Sequence, residues 1–284
     1  MSAQHPRRPV AIRASVPARV TRHGLARTIS VLVAVVAVGL ILAPAALGQD
    51  RIYFGNYNPQ NEISWANLDG SGGGDLSTPG ATVFYPLGTA IDAAAGDIYW
   101  VGFEPSNTVS EASLDGTGGS DLEIDGTDVD APSGMAIDPV AGKIYWANAG
   151  NNTISVANLD GSEATNLDTT GATVAVPAAV AIDPAANRIY WSNFNQNNNT
   201  IDDRISYANL DGTGNGGDLD TGAATVADPI GVAIDRTTGK IYWGNSNSGG
   251  PISWASLDGT DSGDLNISGA ANPQMPEEIG RAHV

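Results

Sequence analysis

The sequence predicts an all-β fold, a β-propeller of four-stranded blades with five repeat units present. Three observations predict it. An Ile-Tyr-Trp/Phe anchor recurs with its tyrosine at Tyr53, Tyr99, Tyr145, Tyr190 and Tyr242, at intervals of 46, 46, 45 and 52 residues. A Leu-Asp-Gly anchor recurs in phase, with its aspartate at Asp69, Asp115, Asp160, Asp211 and Asp258. No segment of the unit has the length or period of an amphipathic helix. Four short strands at such a period are the signature of a propeller blade, whereas leucine-rich and ankyrin units differ in both period and helix content.

Each unit divides at strong turn signals. In the fourth unit Val180 to Ile182 is a β-rich run closed by Asp183-Pro184, and Arg188 to Ser192 is the next. Ile205 to Ala208 is the third, ended by Asp211-Gly212, a leading hairpin dipeptide. After a Gly-rich loop, Ala224-Thr225-Val226 reads as the fourth strand. The first run carries a third anchor, Ala-Ile-Asp, at residues 90–92, 136–138, 181–183 and 233–235, which the first unit lacks. The Tyr-Trp pairs occur once per unit at one strand position and so read as core between blades. Burying one such Trp removes about 150–250 Å² from water, an upper-bound gain of about 4–6 kcal/mol.

The chain ends differ from this repeat. Residues 1–48 carry six arginines and no acid, followed by a 14-residue apolar run from Ile29 to Leu42 and the small residues Ala45, Ala46 and Gly48. That run is short for a bilayer span, so it reads as a secretory signal peptide, with an uncleaved anchor as the other reading. Residues 49–276 form the propeller and 277–284 a non-native tail. Glu278 to Val284 resembles the translation of a sequencing-library adapter, and an Ala-Ile-Asp strand is expected where this tail stands.

Composition narrows the chemistry. The 284 residues include no cysteine and only three histidines, His5, His23 and His283, all near the ends. A thiol nucleophile, a Cys-ligated zinc and a His-based triad are therefore excluded from the body of the chain. The formal charge is −18, and cleavage after Gly48 would leave 7 basic against 31 acidic residues, a net of −24. That charge argues against nucleic acid or an anionic membrane surface as partner.

The pattern Ala-Ile-Asp-Pro-x-x-x-x-Ile-Tyr-Trp-x-Asn, then Ile-Ser-x-Ala-Asn-Leu-Asp-Gly, resembles the YWTD repeat, or low-density lipoprotein receptor class B repeat, from Arg51 to about Pro276. The resemblance implies a ring of six blades that binds other proteins, of the six-bladed TolB-like type. The family's Thr-Asp is Ala147-Asn148, Ser192-Asn193 and Gly244-Asn245 here, Val101-Gly102 in the second unit and Gly55-Asn56 in the first. An amide replaces the carboxylate in most units, so a charge-dependent contact between blades does not carry over directly.

Two groups of residues are candidates for recognition. The third-strand position between Ser and Ala varies, with Trp65, Glu111, Val156, Tyr207 and Trp254, while its neighbours hold. Variation on a fixed scaffold marks either a tunable binding face or a free outer surface. The cluster Asp121, Glu123, Asp125, Asp128 and Asp130 offers oxygen ligands that Ca²⁺ accepts, without calcium-loop spacing; solvated loop acids are the other reading. The Asp-Gly and strand-ending aspartates read as local backbone caps. The Asn-rich insertion 195–203 reads as a projecting contact loop.

Two functions fit. The first is a secreted, non-enzymatic module of bacterial type that binds a protein or a cell-surface polysaccharide without a cofactor. The second is a calcium-dependent hydrolase or lyase of the gluconolactonase type, which requires acids that converge outside the repeat.

Overall fold

The computed structural model describes residues 50–56, 61–194, 203–247 and 251–268. The signal segment, the loop 195–202 and the tail 277–284 lie outside the described residues. Among the described residues no helix is long and apolar enough to cross a membrane.

Five antiparallel sheets follow one another along the chain in a propeller arrangement. Blade 1 holds β1 (Arg51–Asn56), β2 (Glu62–Asn67) and β3 (Gly73–Asp75). Blade 2 holds β4 (Pro86–Asp92), β5 (Asp97–Gly102), β6 (Thr108–Ser113) and β7 (Gly119–Asp121). Blade 3 holds β8 (Pro132–Asp138), β9 (Lys143–Asn148), β10 (Thr153–Asn158) and β11 (Thr165–Asn166). Blade 4 holds β12 (Pro177–Asp183), β13 (Arg188–Asn193), β14 (Arg204–Asn209) and β15 (Gly217–Asp218). Blade 5 holds β16 (Pro229–Asp235), β17 (Lys240–Asn245), β18 (Ile252–Ser256) and β19 (Ser262–Asp264). The Ala-Ile-Asp strands β4, β8, β12 and β16 pack on one another in succession and form the inner edge. They approach closely at glycine: a Cβ on Gly134 would lie 2.5 Å from Ala179 Cα.

One expected strand is placed differently. Ala224-Thr225-Val226 pairs with no strand; the outer strand of blade 4 is Gly217–Asp218, upstream of it. The physical reason is that Thr225 belongs to the crossing segment between blades and is bound by side chains of blade 5. Its N–H and Oγ1 donate to the Asp264 carboxylate at 2.8 and 2.7 Å, and its carbonyl accepts from Trp243 Nε1 at 2.8 Å. A β-rich composition makes the run extended, but its hydrogen bonds go to side chains rather than to a ladder.

The core is divided among four seams, and each seam follows one rule. The tyrosine face of a blade packs on the tryptophan face of the next, as in Tyr53 with Trp100, Tyr99 with Trp146, Tyr145 with Trp191 and Tyr190 with Trp243. The four tryptophans are fully buried, as the sequence predicts. Phe54 on blade 1 and Tyr242 on blade 5 lie outside these four clusters and are half-buried.

Candidate functional site

Two sets of polar latches hold adjacent blades and take up most of the polar side chains. In the outer latch, Asp121 accepts from Thr82 N at 2.7 Å, Thr82 Oγ1 at 2.6 Å and Ser110 Oγ at 2.6 Å. Asp218 does the same with Thr173 and Ser206, and Asp264 with Thr225 and Ser253. In blade 3 Asn166 takes this place. Burial pushes the Asp121 carboxyl up, but the hydrogen bonds from Ser110 and Thr82 outweigh it and hold it below the usual value.

In the upper latch, Asn61, Asn107 and Asn152 stand just before the third strand and accept from the N–H of Tyr85, Ala131 and Val176. Asp203 accepts likewise from Asp228 N at 3.1 Å. These four donors precede prolines and sit at φ of 44 to 49°, a conformation that β-branched Val176 adopts only under constraint. Sequence reasoning missed both latches. The signal for the upper one was the recurrence of Asn or Asp at one place in four units.

The family-departing asparagines join the two sets. Asn193 is fully buried; its Oδ1 accepts from Ala175 N at 2.8 Å and its Nδ2 donates to Ser206 Oγ at 2.9 Å. Ser206 Oγ in turn donates to the Asp218 carboxylate at 2.7 Å. Asn245 and Asn148 make the same relay through Ser253 and Ser155. A carboxylate at these positions supplies no donor for the serine, which accounts for the amide.

The variable row lies at the outer half of each tyrosine face. Tyr53, Trp65 and Gly74 stand opposite one another across three strands, as do Tyr190, Tyr207 and Gly217, and Tyr242, Trp254 and Gly263. Where the row residue is aromatic, the outer strand has glycine: a Cβ on Gly217 would lie 2.8 Å from the Tyr207 hydroxyl. A cation lies over each ring. Arg51 lies 3.8 Å from the Trp65 centroid, Arg188 4.5 Å from that of Tyr207 and Lys240 3.3 Å from that of Trp254. The row is therefore half-buried and matched to its own blade rather than free to drift.

Blade 2 breaks the pattern. Asp97 replaces the cation, Glu111 the aromatic ring and Ser120 the glycine, with Ser120 Oγ donating to Glu111 at 3.3 Å. Burial raises the Asp97 carboxyl, with the Asp92 and Asp115 charges adding to it. Burial likewise raises Glu111, and the Asp97 charge adds to that while Ser120 opposes it. A groove of about 270 Å³ opens beside them, lined by Asp97, Glu111, Thr117 and Ser120. A second, of about 320 Å³ at the seam of blades 4 and 5, is lined by Arg188, Tyr190, Tyr207, Asp218 and Asp258. Both offer hydrogen-bonding groups, the second adds the rings of Tyr190 and Tyr207 as stacking surfaces, and neither is lined by a nucleophile paired with a base.

The five acids of the calcium expectation are not brought together. Asp121 is committed to its latch, while Glu123, Asp125 and Asp128 are exposed and Asp130 stands against Gly150. Among the described residues no three acidic or imidazole groups converge as metal ligands would, so this donor set does not fit a calcium ion. The Asp-Gly aspartates cap their own turns: Asp258 accepts from Thr260 N and Oγ1, and hydrogen bonds from Ser256 and Thr260 lower it to about 2.

Residues 142–184, from the start of β9 to the end of β12, match the family model of the low-density lipoprotein receptor repeat class B. This segment is a class B repeat. The other four units carry its Tyr-Trp/Phe and Leu-Asp-Gly anchors. Among solved structures, a nidogen/laminin complex matches with 20% identity over 76% of this chain and 77% of that one, at a TM-score of 0.59. A putative TolB from Agrobacterium tumefaciens matches with 11% identity over 73% and 74%, at 0.55. The hydrazine synthase of Kuenenia stuttgartiensis matches with 14% identity over 73% of this chain and 60% of that one, at 0.54. These likenesses are of fold. No curated protein sequence matches the chain.

Proposed function

We propose that this propeller is an exported, non-enzymatic binding module that recognises another protein or a cell-surface polymer through the variable row of its class B repeats. One observation carries the reading: the scaffold around the row repeats while the row itself reads Trp65, Glu111, Val156, Tyr207 and Trp254. The blades thus present Trp twice and Glu, Val and Tyr once each, all half-buried, at one position of a repeated strand frame, which is how a rigid scaffold tunes recognition. Glu111 adds an acidic groove and Tyr207 an amphipathic one. The complex with laminin in the nidogen structure supports a protein as the partner class. The hydrolase reading gains no support, because among the described residues the acids it needs do not converge.

The test is capture of exported proteins and wall polymers on the immobilised chain, compared with Glu111→Lys and Trp254→Ala variants shown by circular dichroism to be folded. Specific capture that either variant abolishes supports the reading. Capture unchanged by both, or none at all, removes the row as the binding face.

A further inference from the structure

The groove at the seam of blades 4 and 5 has a volume of about 320 Å³, at the small end of ligand sites, which run from about 300 to 1,000 Å³. Its wall is the tyrosine face of blade 4 and its rim the Leu257-Asp258-Gly259 turn of blade 5. Blade 4 alone sets two tyrosines side by side here: Tyr207 stands opposite Tyr190, where the other blades have Trp65, Glu111, Val156 and Trp254. The two rings lie 5.9 Å apart, tilted by 51°. Tyr190 is only 4% exposed and packs in the cluster of Trp243, yet it lines the groove, and among the described residues its hydroxyl has no hydrogen-bond partner. Burial raises the pKa of that hydroxyl, with Arg188 opposing, so it stays protonated at neutral pH and is free to donate. A phenol buried to this degree normally finds a partner at its tip.

The other polar groups of the groove are pinned by their own blades. Arg188 Nη1 donates to the Asn215 carbonyl at 3.1 Å, and the guanidinium lies 4.5 Å from the Tyr207 centroid, in no ion pair among the described residues. Asp220 Oδ1 accepts from Gly222 N at 2.9 Å, and Asp258 Oδ1 accepts from Thr260 N and Oγ1. Asp218, by contrast, is committed to its latch and to Arg204. The groove thus sets two phenol hydroxyls and a guanidinium beside two carboxylates. A cationic ligand would be opposed by Arg188, and an anionic one by Asp220 and Asp258. A ligand rich in hydroxyl groups meets neither objection, since each hydroxyl can accept from the guanidinium or a phenol and donate to a carboxylate.

We infer that the groove between blades 4 and 5 binds a neutral saccharide, whose hydroxyl groups bridge Tyr190, Tyr207 and Arg188 to Asp220 and Asp258. This deepens the proposed function at one blade and rests on the reading that the variable row recognises a ligand. Because the ring stack, the guanidinium and the two carboxylates are already held in place, little ordering opposes binding. Tyr190 supplies the specificity: its hydroxyl gains a partner only when the ligand brings one.

The probes are neutral trisaccharides of glucose, mannose and N-acetylglucosamine, titrated into the full chain by isothermal calorimetry, with trigalacturonate and hexalysine as charged competitors. The expected result is saturable binding of at least one neutral trisaccharide. Tyr190→Phe and Tyr207→Phe each remove one hydroxyl and keep the ring, so each should weaken binding about three- to tenfold while the melting temperature holds. Neither charged competitor should displace the sugar. No saturable binding of any trisaccharide up to tens of millimolar overturns the inference, as does binding that neither Phe variant weakens. Displacement by trigalacturonate assigns the groove to an anionic sugar, and displacement by hexalysine to a cationic segment of a protein; either equally overturns it. If no sugar binds while protein or polymer capture still depends on Glu111 or Trp254, the saccharide assignment alone falls. If capture also ignores both residues, the reading of the row falls with it.

Discussion

Replacing Asn193 by aspartate, the residue that class B repeats carry in their Tyr-Trp-Thr-Asp motif, should destabilise this protein despite restoring the family pattern. The amide is fully buried and donates to Ser206 Oγ at 2.9 Å and to the Arg204 carbonyl at 3.3 Å, while accepting from Ala175 N at 2.8 Å. Asn193→Asp keeps the acceptor and loses both donors. Ser206 has one proton, which now goes to Asp218, so the new carboxylate faces a hydroxyl oxygen and a carbonyl with no proton between them. Two hydrogen bonds at about 1 kcal/mol each, plus an uncompensated buried acceptor at about 1–3 kcal/mol, give a loss of about 3–5 kcal/mol at neutral pH. For a domain of this size that lowers Tm by about 6–20 °C. The buried carboxyl titrates above its ordinary value, so its folded pKa is raised relative to the unfolded chain and the deficit shrinks as pH falls through that folded pKa. Thermal unfolding followed by circular dichroism at pH 5 and pH 8, with Asn193→Ala as reference, measures both effects. An Asp variant as stable as Asn at pH 8, or one whose deficit is the same at both pH values, would refute the relay.

Asp121→Ala removes three acceptor contacts of an outer latch and should cost about 2 kcal/mol in urea unfolding at pH 7. Its carboxyl is depressed in the fold, so wild type holds this contribution above the ordinary value of 3.8 and loses it as pH falls through the lower folded value; the two proteins should converge only in that acid range. Asp97→Asn should stabilise blade 2 by a few tenths to about 1 kcal/mol at pH 7, because it relieves a carboxyl raised by burial and by Asp92 and Asp115. That gain should vanish on acidification through the raised Asp97 value, as a pH series of melting curves would show. Gly134→Ala should cost about 1–3 kcal/mol, since its Cβ would meet Ala179 Cα at 2.5 Å; a neutral result would mean the inner strands can separate.

The blades were legible because their anchors are local and repeated. A Tyr-Trp pair and an Asp-Gly turn each need only a few residues, and five copies in phase identify the unit before any residue is weighed. The latches were not legible, because their partners are far apart: Thr82 meets Asp121 across 39 positions, and Asn107 meets Ala131 across 24. Ala224 to Val226 was misread for a related reason, since a crossing segment bound by side chains has the composition of a strand without its ladder. The variation of the row is visible in the sequence, but the matching of each ring to its own blade is not. Its pairing with Gly74, Gly217 and Gly263 is present in the sequence, and becomes meaningful only once the register places each glycine under a ring.

The same register explains where recognition can reside in such a fold. Side chains facing the seams are constrained by the next blade: a tryptophan with no exposure cannot vary without opening a cavity worth about 3–5 kcal/mol. Latch residues are constrained by proton counting, as the Asn-Ser-Asp relay shows. What remains free is the outer end of each tyrosine face, and even there a ring demands a glycine beside it and a cation over it. Blade 2 shows that the whole triplet changes together, from cation, ring and glycine to Asp97, Glu111 and Ser120. On the proposed reading, exchanging the complete triplet of blade 2 for that of blade 4 should transfer binding properties, whereas exchanging Glu111 for tyrosine alone would set its ring against the Ser120 side chain.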